Sequence, residues 1–277
     1  MAEIRVGTSA FTAEGWEGSF YPRGMKPAEY LSYYATQFDT VEVDSTFYRT
    51  PALSTVKGWY AKTPPGFVFA VKVPQVITHE KVLVDCEEDL SYFLKTMEAL
   101  GEKLGPVLFQ FGYFNKSKFK SGAEFLARLK AFLKQLPKGF QYAVEIRNKN
   151  WLDARPANPT GMQKSQFAET LRERGVALAL IDQSWMPRPW ERKEKFDLIT
   201  ADFAYVRWLG DRKGIEEQTK TWDKTIVDRR GDLKNWVELF REFVRRNLKI
   251  FAYANNHYAG HGPDTVKLFW KLWEAGQ

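Results

Sequence analysis

Polar side chains stand at the ends of short apolar runs along this chain, and their types suit acid/base chemistry on a polar molecule. They are Thr8, Glu42, Asp44, Lys72, Gln110, Glu145, Arg147, Asp182, Arg207, Asn255 and Asn256. Two carboxyl groups across a pocket can act as general acid and general base when their environments move their pKa values apart. Glu42 and Glu145 are the candidate catalytic pair. Lys72 is a third catalytic candidate, because an amine among apolar residues can act as a base or a nucleophile.

Alternation along a strand predicts how these residues pair. Glu42 and Asp44 point to one side of their run, and Glu145 and Arg147 share a side in the same way. A buried carboxylate is costly unless it is paired, so we expect Lys72 and Arg147 to be the partners of these acids. The alternative is a purely structural layer of ion pairs.

The other polar residues have side chains that hold and orient a substrate. Arg147 and Arg207, with Lys72, are expected to bind anionic groups or to stabilise developing charge. Hydrogen bonds are expected from the amides of Gln110, Asn255 and Asn256. A divalent metal is an alternative for the carboxylates, because oxygen-rich sites suit Mg²⁺ or Mn²⁺. Its oxygen ligands would come from Glu42, Asp44, Glu145 and Asp182. We assign no metal ligands, and the cofactor is unknown.

Eight apolar runs position these residues, and each predicts a strand buried on both faces. The runs are residues 4–7, 40–43, 67–71, 107–109, 141–144, 177–181, 203–206 and 250–253. Helical patterns are predicted between and after them, at residues 27–37, 54–62, 87–104, 123–135, 164–174, 232–246 and 263–274. Strands that alternate with helices form parallel sheets. The sequence therefore predicts an α/β fold, a TIM-type (β/α)₈ barrel of a single domain over residues 1–277. Active sites of such barrels lie at the carboxyl ends of the strands.

Three segments after the late strands predict contacts with phosphate or nucleic acid. A glycine-rich turn at residues 260–264 precedes the last helix, where barrels often bind phosphate, and Arg207 is expected to reach that corner. The two longest irregular segments are 183–201 and 209–231. They combine tryptophans with basic residues, which can stack on and neutralise a nucleotide or an oligonucleotide. The tryptophans are Trp185, Trp190 and Trp222, among basic residues that include Arg188, Arg192, Lys193 and Arg212.

Composition sets limits on the class of protein. The net charge of +7 favours anionic partners, and no segment approaches the roughly 20 apolar residues of a membrane span. The single cysteine, Cys86, excludes an internal disulfide, and its acidic neighbours indicate a bystander rather than a nucleophile. The amino terminus lacks the basic and apolar regions of a signal peptide. We therefore expect a cytoplasmic protein with no membrane partner; the oligomeric state is unknown.

Motifs spread in order over nearly the whole chain resemble the DUF72 (YecE-like) family. They include Gly7-Thr8-Ser9, Val41-Glu42-Val43-Asp44-Ser45, Val71-Lys72-Val73-Pro74, Leu108-Phe109-Gln110, Val144-Glu145-Ile146-Arg147, Tyr205-Val206-Arg207 and Tyr253-Ala254-Asn255-Asn256. The resemblance implies a TIM-type barrel and adds Ser45, Tyr48 and His79 to the candidate residues. With it, the substrate-binding candidates are Thr8, Asp44, Tyr48, Gln110, Arg147, Arg207, Asn255 and Asn256.

The chain departs from the family pattern at three of these motifs. Asp44 stands where the family usually has Asn, and Asn148 and Leu209 stand where it has His. Two histidines able to bind a ligand are therefore absent.

Three hypotheses of function follow. The first is an enzyme (a hydrolase, lyase or isomerase) acting on a small polar or anionic substrate at the carboxyl-terminal face of the barrel. The second is a protein that binds or processes nucleic acid. The third is a non-catalytic ligand-binding barrel with a structural ion network.

Overall fold

Eight parallel strands form a nearly closed barrel in this computed structural model, which describes residues 3–149, 151, 164–192 and 197–276. The strands are β1 (Ile4–Thr8), β2 (Thr40–Val43), β3 (Val68–Lys72), β4 (Leu104–Gln110), β5 (Tyr142–Glu145), β6 (Ala177–Gln183), β7 (Phe203–Gly210) and β8 (Lys249–Ala254). Backbone hydrogen bonds join them in the order β1-β8-β7-β6-β5-β4-β3-β2. The predicted TIM-type (β/α)₈ fold is confirmed.

Helices connect the strands and cover the outside of the barrel. They are α1 (Tyr30–Gln37), α2 (Leu53–Ala61), α3 (Glu87–Met97), α4 (Gly122–Gln135), α5 (Lys164–Arg172), α6 (Pro189–Arg192), α7 (Arg212–Glu216), α8 (Arg230–Arg245), α9 (Asn256–Ala259) and α10 (Gly262–Glu274). No helix in the described ranges is both long and apolar enough to cross a membrane.

The interior of the barrel is filled by small residues on one side and aromatic rings on the other. Alanines face inward from β3, β5 and β6, whereas β7 and β8 contribute rings. Phe203 and Phe251 pack edge to face with ring centroids 5.9 Å apart, and Tyr205 and Tyr253 lie one layer higher with centroids 5.5 Å apart. This complementarity of large and small side chains gives a packed core rather than a pore.

The edge between β1 and β2 is joined by side chains in place of a continuous ladder. The hydroxyl of Tyr34 on α1 donates to the carbonyl of Thr40 at 3.1 Å and accepts the backbone N–H of Thr8 at 2.8 Å. The hydroxyl of Thr40 in turn lies 2.9 Å from that of Tyr253. Gly7 lies at the same edge, and a Cβ atom there would collide with the carbonyl oxygen of Thr40.

Replacing Gly7 by Ala should therefore destabilise the protein by roughly 1–3 kcal/mol, the usual cost of forcing an extra group into a packed interior. Urea unfolding followed by circular dichroism measures this. Gly58→Ala on α2 is the matched control, because a Cβ there meets no atom within 4 Å. Alanine in a helix interior is favoured over glycine by about 0.5–1 kcal/mol, so the control should gain stability. Equal effects of the two substitutions would contradict the close approach of β1 and β2.

The structure differs from the sequence prediction at a few boundaries. The helix predicted at 87–104 ends at Met97 and continues as a 3₁₀ turn to Lys103. Gly101 interrupts the helical backbone within that turn, since its φ of 51° and ψ of −129° are not helical. The segments predicted to be irregular at 183–201 and 209–231 also contain α6 and α7, and both β6 and β7 run further than their apolar cores.

Candidate active site

One buried guanidinium holds three carboxylates together at the carboxyl ends of the strands. Arg207 on β7 donates from Nε and Nη2 to Oε1 of Glu42, at 3.0 and 2.7 Å, and from Nη1 to Oε2 of Glu145 at 2.7 Å. Its Nη2 also lies 3.1 Å from Oδ1 of Asp44. The second oxygen of Glu42 accepts the hydroxyl of Tyr205 at 2.5 Å. Arg207, Glu42 and Glu145 are all buried. We call Arg207 and its four neighbours the arginine network; the neighbours are Glu42, Asp44, Glu145 and Tyr205.

Arg147 and Lys72 extend the arginine network toward solvent. Nε of Arg147 donates to Oε1 of Glu145 at 2.6 Å, as the shared strand face predicted. Nζ of Lys72 lies 3.6 Å from Oδ1 of Asp44 and 3.9 Å above the ring of Phe47.

The sequence predicts that Lys72 and Arg147 pair with Glu42, and this prediction is wrong. The register between β2 and β3 pairs Val43 with Val71. The next residue on β3, Lys72, therefore lies beside Asp44, one residue beyond Val43, and not beside Glu42. Arg207 takes the place beside Glu42.

The two candidate catalytic carboxyl groups have pKa values moved far apart. Burial raises the pKa of Glu42 to about 7, against the opposing attraction of Arg207. Burial also acts on Glu145, but the charges and hydrogen bonds of Arg147 and Arg207 outweigh it and hold that pKa at about 2. Both carboxyl groups are fully buried, and neither is among the described residues that line the pocket above Arg207. Their contacts position Arg207.

A pocket of about 740 Å³ opens directly above the arginine network. Six predicted binding residues line it together with Lys72: Asp44, Tyr48, Gln110, Arg147, Arg207 and Asn255. Other lining residues are Phe47, Gln75, His79, Gly112, Tyr113, Gln183, Trp185, Leu209, Arg212 and His257. The volume is typical of a site for a small molecule.

Two predicted binding residues are not brought to this pocket. The hydroxyl of Thr8 donates to the carbonyl of Ala10 at 2.6 Å, and its backbone joins the edge between β1 and β2. Oδ1 of Asn256 accepts the N–H of Gly262, the first residue of α10, at 2.8 Å. Both polar groups are used within the fold.

Asp182, one of the carboxylates considered for a divalent metal, does not join the other carboxylates. Asp182 lies among the helices, where it accepts from Trp236 Nε1 and Tyr258 Oη at 2.9 Å each and pairs with Arg188. It is therefore separate from the arginine network. In the described ranges no three His, Cys, Asp or Glu side chains converge to hold a metal.

The turn at 260–264 is closed by its own side chains. His261 is fully buried, is the N-cap residue of α10 and pairs with Asp264 at 2.9 Å, and Asn256 accepts the N–H of Gly262. Arg207, expected at this corner, pairs instead with Glu42, Glu145 and Asp44 inside the barrel.

In the two loops rich in tryptophan and basic residues, some side chains pack against other rings and others line the pocket. Trp190 packs edge to face against Trp236, and Trp222 against His257. Trp185 and Arg212 line the pocket. Lys193 lies outside the described residues.

Some pocket residues were missed by sequence reasoning. Gln183 had a signal, since it lies an even number of residues after Ala177 and Ala179, which face the barrel interior from β6. Tyr113 lies in an irregular segment, where nothing in the sequence sets the direction of a side chain. His79 came only from the family resemblance. Burial, with Lys72 and Arg147 nearby, lowers the pKa of His79 to about 4.

Cys86 is remote from the pocket. Burial, aided by acidic neighbours, raises the pKa of its thiol to about 11, which fits the expectation of an unreactive bystander.

Comparisons with known proteins agree with the motifs and the barrel. The family model described as "Protein of unknown function DUF72" matches residues 5–277. The UPF0759 protein YecE of Escherichia coli K12 is 29% identical over 88% of this chain and 84% of its own. The UPF0759 protein YunF of Bacillus subtilis is 30% identical, covering 93% and 92%. A crystal structure of a DUF72 family protein from Thermotoga maritima superposes with a TM-score of 0.71 at 28% identity, covering 98% and 99%. The resemblance is confirmed, and this chain belongs to the DUF72 family.

Proposed function

We propose that this protein is an enzyme that binds a small anionic substrate in the pocket above the arginine network and moves a proton on it. The observation that supports this proposal is a pair of cationic side chains, Lys72 and Arg147, which line the pocket and carry more hydrogen-bond donors than their described protein partners use. Lysine and arginine donors that line a pocket in this way are suited to an anionic ligand that accepts from them.

Lys72 is best understood beside a second buried lysine at the other end of the barrel. Nζ of Lys103 donates to the carbonyl of Thr63 at 2.6 Å, to its hydroxyl at 3.2 Å and to the carbonyl of Tyr60 at 2.8 Å. It also lies over the ring of Tyr60. Lys72 lies over a ring in the same way, but among the described residues its ammonium has one ion-pair partner within 4 Å, Asp44 at 3.6 Å. The ammonium of Lys103 is fully hydrogen-bonded to protein acceptors at the amino-terminal end of the barrel, where side chains serve stability. Within the described part of the chain, the ammonium of Lys72 keeps donors free at the carboxyl-terminal end, where side chains serve function.

Arg147 presents the second set of donors. Only its Nε is bonded to Glu145 within the described residues, and the two Nη groups are left for the pocket. A guanidinium edge of this kind binds a carboxylate or phosphate through two parallel hydrogen bonds. Lys72 and Arg147 together therefore suit one anionic group.

Proton transfer is supported by the titratable groups that line the pocket. Burial lowers the pKa of Lys72, which brings a proton donor closer to neutral pH. His79 is neutral at pH 7, and its Nδ1 is 2.8 Å from the hydroxyl of Thr78, which leaves Nε2 for a ligand. Hydrolases, lyases and isomerases all need such a step. In this proposal Lys72, Asp44 and His79 touch the substrate, while Glu42 and Glu145 position Arg207.

The test compares Lys72→Met with Lys103→Met, using inorganic phosphate as the probe in calorimetric titrations. Losing a hydrogen bond to a charged group costs roughly 1.5–3 kcal/mol, so Lys72→Met should weaken phosphate binding about 10- to 150-fold. Its melting temperature should be unchanged or higher, because burial of the ammonium is a cost. Lys103→Met should melt lower and keep its affinity.

Turnover is assayed by mass spectrometry on a panel of small phosphate esters and sugar acids. Product formation by the wild type that Lys72→Met abolishes would support an enzyme. Phosphate affinity that is the same in Lys72→Met and the wild type would refute the proposed site.

A further inference from the structure

Three aromatic side chains at the mouth of the pocket are exposed to solvent. Tyr48 is 73% exposed, Tyr113 69% and Trp185 46%. Of the five aromatic side chains most exposed in the described ranges, these three line this one pocket, and the other two, Tyr60 and Tyr92, do not. Exposed rings gathered at one opening mark a binding surface rather than random surface composition.

The faces of these rings are available for stacking. Tyr48 has an edge-to-face contact with Phe47, with centroids 5.6 Å apart. Tyr113 and Trp185 have no ring partner in the part of the chain that is described. The many other aromatic side chains of this protein pack against each other in its core. The three exposed rings of the mouth, Tyr48, Tyr113 and Trp185, are hereafter the aromatic rim.

A glutamine inside the pocket has an unused polar atom. Gln183 is 5% exposed, and its Oε1 has no hydrogen-bond partner among the described residues. A carboxamide presents a donor and an acceptor side by side, which matches the edge of a heteroaromatic ring. Leaving such a group unpaired is costly, so a ligand that pairs with it gains both contact and specificity.

We infer that the substrate carries a flat heteroaromatic ring as well as its anionic group, as in a nucleoside monophosphate. The ring stacks on the aromatic rim and meets Gln183 with its edge, while the anion binds Lys72 and Arg147. This inference rests on the proposed function, because the anion fixes one end of the ligand. The pocket volume of about 740 Å³ also leaves room for far more than a simple anion.

The experiment compares three probes that share a phosphate: adenosine 5′-monophosphate, ribose 5-phosphate and inorganic phosphate. Stacking of a base on an aromatic side chain contributes roughly 1–3 kcal/mol, so the nucleotide should bind about 5- to 150-fold more tightly than ribose 5-phosphate. Trp185→Ala should remove a large part of that difference and leave the affinity for ribose 5-phosphate and phosphate unchanged. Tyr92→Ala is the matched control, since Tyr92 is 62% exposed but lies away from the pocket.

The outcomes separate this inference from the proposed function. If ribose 5-phosphate binds as tightly as the nucleotide and Trp185→Ala has no effect, the ring inference is overturned and the anion site stands. If none of the probes binds, phosphate included, both fall. A nucleotide preference that is lost in Trp185→Ala and kept in Tyr92→Ala supports both.

Discussion

Replacing Arg207 by Met should destabilise the protein by about 3–5 kcal/mol at pH 8, the usual cost of leaving buried charges without their partner. Arg207 makes four hydrogen bonds of 3.1 Å or less to Glu42, Glu145 and Asp44. Without it, Glu42 and Glu145 must ionise in a dry interior or take up protons. Since a protein of this kind is stable by only about 5–15 kcal/mol, the loss is a large fraction of the total. Urea unfolding at pH 8 and pH 5 measures it, and the deficit should shrink at pH 5, where protonation relieves the buried charge.

Arg246→Met provides the control for losing an arginine as such. Arg246 pairs with Asp197 at 2.9 Å, but both side chains are more than 40% exposed, so the loss should stay below about 1 kcal/mol. A second arm combines Arg207→Met with Glu42→Gln and Glu145→Gln. Removing all three charges should restore much of the stability, because an entire buried ion cluster can often be replaced at little cost. If Arg207→Met lowers the free energy of unfolding no more than Arg246→Met does, the arginine network does not stabilise the barrel.

The strands could be predicted from sequence because both of their faces are buried. Apolar runs such as 177–181 are readable without knowledge of any partner. The predicted carboxyl ends of β6 and β7 fall several residues before the observed ends. The reason is that residues facing a polar pocket, such as Gln183 and Arg207, resemble loop residues in a sequence. Helix bounds failed where one residue alters the backbone, as Gly101 does after α3.

The candidate site could be predicted only as a set of residues, without its connections. Alternation along a strand correctly grouped Glu145 with Arg147. The central role of Arg207 could not be foreseen, because it depends on which side chains meet across the barrel. Loop residues such as Tyr113 and Trp185 were harder still, since their direction is set by tertiary packing.

The two buried glutamates should give opposite pH dependence when each is replaced by Gln. The pKa of Glu42 is raised from 4.5 to about 7 in the folded protein. Its contribution to stability is therefore complete below pH 4.5 and is lost as the pH rises through 7. Glu42→Gln lacks this titration, so its stability relative to the wild type should rise between pH 5 and pH 8. The change is on the order of 3 kcal/mol at most, at about 1.4 kcal/mol per pKa unit.

Glu145→Gln should behave in the reverse sense. The pKa of Glu145 is lowered from 4.5 to about 2, so its contribution is complete above pH 4.5 and is lost as the pH falls through 2. The variant should be less stable than the wild type at pH 5 and pH 8, and the deficit should shrink at pH 3. Glu173→Gln is the control, because its carboxylate is exposed and 3.9 Å from Lys130, and it should follow the wild type within a few tenths of a kcal/mol. Profiles of the same sign for Glu42→Gln and Glu145→Gln would mean that Arg147, which pairs with Glu145 and not with Glu42, does not separate the two carboxylates, and the division of their pKa values would then be refuted.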